Sequence, residues 1–411
     1  MTLAWISVAA LLIAVAVSCT TAINVGILSM SMALLVGVYL GGMTVGQVLQ
    51  GFPTPLFVTL VGITLLFSIA DVNGTLSRVT AKAVSACRGQ RGLLPIMFFV
   101  IGIVIATIGA GATPASALLA PPAMAVAARA GIPLLLMAIM AGNGALAGTL
   151  SPFAPTGIVA NGVMDRIGLS GVEWQTFAYN ALAHTTVGFV GFLALGGWRL
   201  FKKSDVVAAA EPDAGVMESR HWLTLTGIII LIVAVAGLAV DVGMAALVIA
   251  TMLILLRTVE EQKAIQRMPW GVILMVTGVT VLIAMLEKTK GLELIASGIA
   301  NVSTPSTIAP VAAFGTGVIS VYSSTSGVVL PAFLPTVPGL VMRLAGADPL
   351  AVATSMNIGA HLVDMSPLST TGALCLAAMP AGPDVRKTYN KLLAWGLSMS
   401  IVGALGCYLL L

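Results

Sequence analysis

Long apolar runs alternate along this chain with short breaks rich in Gly, Pro, Ser and Thr. Runs near 20 residues match a helix crossing the hydrocarbon of a bilayer, roughly 30 Å thick. They predict spans over 3–20, 22–41 and 54–71, then an amphipathic stretch over 72–92 carrying Arg78, Lys82, Arg88 and Arg91. Two apolar arms follow, 93–110 and 114–130, split by Gly109-Ala-Gly-Ala-Thr-Pro-Ala115 with no charge at the turn. They predict a re-entrant hairpin over about 93–130, although two short full spans would look similar. An interrupted helix over 133–164 and a span over 174–199 complete the first half. The second half repeats this order. Spans are expected over 222–240, 242–257 and 269–286, with a short amphipathic piece over 287–303. Arms over 307–322 and 327–345 are split by Tyr322-Ser-Ser-Thr-Ser-Gly327, giving a hairpin over about 307–345. An interrupted helix over 348–379 and a last span over 388–411 follow. A polar linker over 200–220, with Lys202, Lys203, Glu211-Pro212-Asp213 and Arg220, divides residues 1–199 from 221–411.

The order is echoed residue by residue. Ser151-Pro-Phe-Ala-Pro-Thr-Gly157 returns 215 positions later as Ser366-Pro-Leu-Ser-Thr-Thr-Gly372, and Gly144-Ala145 returns as Gly359-Ala360. Gly62-Ile-Thr-Leu-Leu has its echo at Gly278-Val-Thr-Val-Leu. A duplicated membrane unit is expected, with its broken helices at the place where a polar solute is held. With re-entrant hairpins each copy crosses the membrane five times, and an odd count sets the copies in opposite orientations.

Composition agrees with a multi-span membrane protein. The 411 residues are 58% hydrophobic and 8% charged, where a soluble domain has about 25% charged residues. The formal net charge of +4 sits in loops and reports orientation, so a nucleic-acid surface is excluded. Placing 72–92, the linker, 257–268 and 380–391 inside leaves only Arg166, Lys288, Lys290 and Arg343 of the 19 Lys and Arg residues outside. Both termini then face outward, at a bacterial inner membrane. Trp174, Trp198, Trp222 and Trp270 fall at span ends, as an aromatic belt requires. The first basic residue is Arg78, so the N-terminal run reads as a retained span and not a signal peptide. Cys19, Cys87, Cys375 and Cys407 have no metal or redox spacing.

Chemistry should sit where helical backbone stops at depth, because lipid cannot satisfy free N–H and C=O groups. Four places qualify: the turns at 111–116 and 322–327, and the breaks at 151–157 and 366–372. Freed N–H groups at helix N-termini suit a carboxylate; freed carbonyls and hydroxyls suit a small cation. The candidate anion ligands are Thr113, Pro114, Asn143, Ser151, Thr156, Ser324, Thr325, Ser326, Asn357, Thr370 and Thr371, with Ser116, Ser323 and Ser369 nearby. The plainer alternative is that such hydroxyls glue helices together. His361 and Asp364 are three apart and share a helical face just before the second break. His361 is a candidate for a substrate carboxylate, Asp364 for a coupling cation or proton. Their counterparts are Leu146 and Thr149, so duplication alone does not require them; a pair that only pins the helix is the alternative. His184 reads as structural, and Asp71, Asp241 and Glu287 as interfacial.

Two hairpins, each followed by a helix broken at Ser-Pro-x-x-x-Thr-Gly, resemble the ion transporter superfamily, which includes divalent anion/sodium symporters and citrate carriers. More narrowly, Asn24-Val-Gly26, residues 57–74 and residues 143–157 are similar to bacterial malonate/dicarboxylate carriers of the MatC type. The resemblance implies an elevator-type, all-α polytopic carrier and a homodimer. A transport domain would hold the hairpins and broken helices, and a scaffold the other spans. It places one half-site at 111–116 and 151–157 and the other at 322–327 and 364–371. Candidate cation ligands are Thr113 with Ser151, and Thr325 with Asp364 and Ser366. The turns read Gly-Ala-Thr-Pro and Ser-Ser-Thr-Ser instead of the Ser-Asn-Thr of sodium-coupled members, so Na+ and H+ both stay open.

The expected function is uptake of a small dicarboxylate, malonate-like or C4, coupled to Na+ or H+, with no other cofactor. One rival is an efflux carrier or cation/proton antiporter of the same superfamily. Another is an intramembrane enzyme using His361 and Asp364, but the chain shows no nucleophile elbow, metal-ligand pair or phosphate loop. A channel is disfavoured by the lack of a charged ring or filter-like repeat.

Overall fold

The structure is a computed structural model that describes residues 2–21, 23–86, 90–201, 216–238, 240–322, 324–380 and 384–411. Arg88, Ser323 and most of the expected linker, including Lys202, Lys203 and Glu211-Pro212-Asp213, lie outside the described residues. Among the described residues no strand occurs. The first half runs α1 (Thr2–Thr20), α2 (Val25–Leu40), α3 (Val45–Leu49), α4 (Thr54–Val72), α5 (Thr75–Ala86), α6 (Leu93–Ala110), α7 (Ala112–Ala130), α8 (Leu134–Ala147), α9 (Pro155–Arg166) and α10 (Glu173–Ala194). The second runs α11 (Ser219–Leu238), α12 (Val242–Leu255), α13 (Glu261–Arg267), α14 (Trp270–Lys288), α15 (Gly291–Ala300), α16 (Ile308–Tyr322), α17 (Thr325–Arg343), α18 (Pro349–Leu362), α19 (Thr370–Ala377) and α20 (Asp384–Leu410). Each expected apolar run holds a helix. Five of them, α4, α6, α14, α17 and the 386–410 part of α20, are by themselves long and apolar enough to cross a membrane.

The helix ends follow from local chemistry. Asn24 accepts from the Gly26 N–H, Thr44 and Gln47 form a capping box, and Asp241 and Asp348 cap α12 and α18. Only Gly111 separates α6 from α7, and Gly109 just before it is already non-helical. Gly109 has φ +131° and Gly111 φ +77°, backbone that a side chain disfavours, so the chain turns without a longer loop. The second turn is made differently: the Ser324 hydroxyl accepts from the Gly327 N–H and starts α17.

The duplicated heptapeptide builds one local structure twice. Ser151 Oγ accepts from the Phe153 N–H, and Ser366 Oγ from the Leu368 N–H. The Ser151 carbonyl accepts from Ala154, and the Ser366 carbonyl from Ser369. The following prolines, Pro152 and Pro367, have no N–H to continue the helix. A Cβ on Gly157 would lie 1.9 Å from the Ser151 carbonyl oxygen, and one on Gly372 2.1 Å from that of Ser366. Glycine is therefore required where the new helix starts beneath the old turn.

Other glycines set the helix crossings. A Cβ on Gly144 would meet the Phe99 carbonyl oxygen at 2.3 Å, and one on Gly359 that of Ala313 at 2.1 Å, seating α8 on α6 and α18 on α16. Two further close crossings join the two halves. Gly62 of α4 abuts the Gly243 carbonyl of α12 at 2.4 Å, and Gly278 of α14 abuts the Gly26 carbonyl of α2 at 2.0 Å, again measured from a built Cβ. Gly278→Ala should lower stability by roughly 1–3 kcal/mol through overpacking. Gly298→Ala, with open space at its Cβ, should hold or raise it. Thermal unfolding of the purified protein checks both; equal melting of Gly278→Ala and wild type would contradict the close crossing.

Candidate functional site

The two turns and the two breaks meet around one cavity of about 440 Å³. Of the sequence-derived candidates, Thr113 comes to its wall from the first turn and Thr156 from the first break. Ser324, Thr325 and Ser326 come from the second turn, and His361, Asp364, Thr370 and Thr371 from the second break. Several of these stand in the first turns of helices. Thr113 follows the start of α7, Thr156 that of α9, and Thr370 and Thr371 open α19. None of these three helices has a side-chain cap. The first N–H groups of a helix have no intrahelical partner and carry its positive dipole end. The cavity thus gathers backbone donors from both halves of the chain.

His361 is buried, with 1% of its surface exposed. Its Nδ1 lies 2.8 Å from the Asn357 carbonyl. A carbonyl only accepts, so Nδ1 carries the proton and Nε2 is bare in the neutral ring; only the imidazolium offers a donor there. Nε2 has no hydrogen-bond partner. Asp364 sits on the short 3-10 turn Val363–Met365. The Thr325 hydroxyl lies 2.9 and 3.0 Å from its two oxygens, and the Ser369 hydroxyl donates at 3.1 Å. Among the described residues no cationic side chain forms an ion pair with Asp364, and His361 and Asp364 do not pair with each other. The expected alternative of a pair that merely pins the helix therefore lacks its contact.

Around Thr325 the oxygens crowd together: Ser320 Oγ, the Asp364 carboxylate and the Ala360 carbonyl at 3.3 Å all approach its hydroxyl. This donor set of hydroxyl, carboxylate and carbonyl suits a hard cation. The other expected cation pair, Thr113 with Ser151, is divided, since only Thr113 is on the wall. Among the described residues no group of three or more His, Cys, Asp or Glu has metal-binding proximity.

Five expected residues lie off this wall. Ser151 donates to the Thr107 carbonyl at 2.6 Å and accepts from Phe153, so its hydroxyl closes the break from behind. Ser366 is fully buried in the same turn geometry. Asn143 donates to the Ile139 carbonyl and meets His184 Nδ1 at 2.9 Å, making His184 its structural partner. Asn357 turns toward Met164 Sδ at 3.5 Å. Pro114 lines a neighbouring cavity of about 340 Å³, where Thr113 faces both spaces and Asp71 pairs with Arg267 at 2.6 Å.

The wall also holds residues that were not expected there. Thr149 and Leu146 stand 215 positions before Asp364 and His361, and all four line the cavity, as do Thr156 and Thr371 at the same offset. The 215-residue spacing carried that signal. Ser369 completes the second break, whereas Ile23, Asn24, Val25, Val272 and Met275 come from α14 and from the chain entering α2.

Residues 1–149 match the family model of the dicarboxylate carrier protein MatC N-terminus. The likeness to MatC-type carriers is thereby shown for that stretch, which ends at Thr149. The YdaH transporter of Alcanivorax borkumensis, whose crystal structure was described as having an unusual topology, superposes with a TM-score of 0.63 at 19% identity. The superposition covers 91% of this chain and 88% of that one. MtrF of Neisseria gonorrhoeae, described as illuminating a class of antimetabolite efflux pumps, superposes at 0.55 with 14% identity, over 88% of this chain and 82% of that one. At these identities the likeness establishes a shared fold. No curated protein matches the chain in sequence.

Ser151→Ala should lower stability by about 1–3 kcal/mol, because it strips partners from the Thr107 carbonyl and the Phe153 N–H. The same variant should leave ligand affinity within about threefold of wild type, since a hydroxyl behind the wall contributes no ligand bond. Thermal unfolding with and without ligand reads both; a large affinity loss at unchanged stability would put Ser151 on the wall.

Proposed function

We propose that this chain is a secondary active carrier for a small dicarboxylate, malonate-like or C4, coupled to Na+ or H+. One observation carries the proposal: uncapped helix starts from both halves converge with the unpartnered Nε2 of buried His361 on a single cavity. Two carboxylates match two sets of backbone donors, and a proton taken up at His361 Nε2 together with the dianion would add a donor and a charge toward it. The match of residues 1–149 to the MatC N-terminal model supports the dicarboxylate class.

In this reading residues 1–199 and 221–411 are inverted repeats in the inner membrane, with both termini outside. The α6–α9 and α16–α19 groups form the moving transport domain of an elevator. The crossings of α2 with α14 and of α4 with α12 knit the scaffold, and two copies assemble as a dimer. Asp364 with Thr325 holds the coupling ion. A second reading, outward transport in exchange for a cation, is supported by the fold shared with MtrF.

Uptake into proteoliposomes under imposed Na+ or pH gradients, paired with counterflow, tests the proposal. Gradient-driven accumulation of malonate or succinate is expected. Cation movement without any organic acid would favour antiport, and absence of both would reject the carrier. His361→Ala should weaken dicarboxylate binding roughly 10- to 100-fold, the worth of one charge-assisted hydrogen bond. Asp364→Asn should abolish the gradient response while counterflow persists. Unchanged behaviour of both variants would remove these roles.

A further inference from the structure

The cavity has two unlike walls. The hairpin turns and broken helices present hydroxyls, backbone N–H groups, His361 and Asp364. The facing wall, from α14 and the entry to α2, presents Ile23, Val25, Val272 and Met275. Asn24 is the one polar side chain on that face, and both its ends are occupied. Its Nδ2 donates to the Gly271 carbonyl at 2.7 Å, and its Oδ1 accepts from the Gly26 N–H at 2.9 Å. These two bonds tether Asn24, which keeps one amide N–H and one lone pair; the other side chains of that face are aliphatic or thioether and offer a hydroxyl no donor. Val272 and Met275, three apart on α14, share one face.

In this structure the two walls touch where the second turn meets α14. Gly327, in the second turn, lies directly against Met275: a Cβ there would fall 2.2 Å from Met275 Cε. The thioether is therefore seated against the polar turn at the cavity edge. A ligand that gives both carboxylates to the polar wall turns its carbon spine toward Val272 and Met275.

We infer that the site takes dicarboxylates whose spine is bare or alkyl-substituted, and discriminates against those carrying a hydroxyl on the spine. The inference rests on the carrier reading and deepens it. A spine hydroxyl facing Val272 and Met275 would lose water and find no partner, whereas a methyl group would gain contact. Rejection of an added hydroxyl by an apolar surface reaches about 100-fold at most.

The test uses the purified full chain and three ligands with equal carboxylate spacing: malonate, methylmalonate and hydroxymalonate. Succinate, methylsuccinate and malate run alongside, so that a C4 preference is also read. Affinities come from calorimetric titration. Methylmalonate should bind within about threefold of malonate or tighter, and hydroxymalonate about 10- to 100-fold weaker. Val272→Thr, near-isosteric, and Met275→Gln each supply a partner and should narrow that gap, with unfolding temperature confirming that each variant folds. Equal binding of malonate and hydroxymalonate in the wild type would overturn the inference while leaving the carrier reading standing. So would a gap that neither folded variant narrows. Binding of none of the six would overturn the carrier reading, and this inference with it.

Discussion

Backbone that leaves the helix inside a membrane must find its hydrogen bonds in protein or in water, since lipid supplies none. The whole architecture answers that constraint. Each break is closed by a serine that accepts from the N–H two residues on, and by a glycine that lets the next helix begin beneath that serine's carbonyl. Asn180 donates to the Leu146 and Ala147 carbonyls where α8 ends, satisfying acceptors that the interrupted helix releases. Nε2 of His361, left without a partner, lies at the cavity wall.

Close helix crossings then hold the breaks in register. Where a glycine Cα faces a carbonyl, two helices approach until no side chain fits between them. Within a half such contacts seat the broken helix on the first hairpin arm, at Gly144 on Phe99 and at Gly359 on Ala313. Between halves they pair α2 with α14 and α4 with α12. The first set makes each half-site stiff. The second brings the chain entering α2 and the N-terminal part of α14 to the cavity, adding an apolar face that neither half-site possesses.

Much of this was legible in the sequence because it is local. Ser-Pro-x-x-x-Thr-Gly determines its own turn within seven residues, so both breaks and the approach of Thr156 and Thr371 could be read directly. The spacing of 215 also pointed to Thr149 through Asp364. Orientation about a helix axis was harder to read. Asn143 and Asn357 have the right chemistry at the right depth, yet a rotation of one residue turns them to His184 and Met164. Ser151 and Ser366 are spent on the turns they create. The apolar face of the cavity was hidden because Val272 and Met275 look like any lipid-facing pair until Gly26 and Gly278 bring α14 against α2.

The two halves contribute matching backbone but unmatched charge. Leu146 and Thr149 stand where the second half has His361 and Asp364, so a cage of near-equivalent donors holds one carboxylate of its own. In the proposed carrier that asymmetry supplies the coupling. An ionised Asp364 repels an incoming dianion across a space of low effective dielectric, where opposition between like charges is weakly screened. A proton or Na+ at Asp364 removes the repulsion, and by linkage the bound dianion strengthens cation binding by the same factor. The Thr325 and Ser369 hydroxyls hold the carboxylate at the cavity wall. A fixed Lys or Arg beside Asp364 would cancel its charge permanently; among the described residues none pairs with it, and in the proposed carrier its neutralisation falls to the co-transported ion.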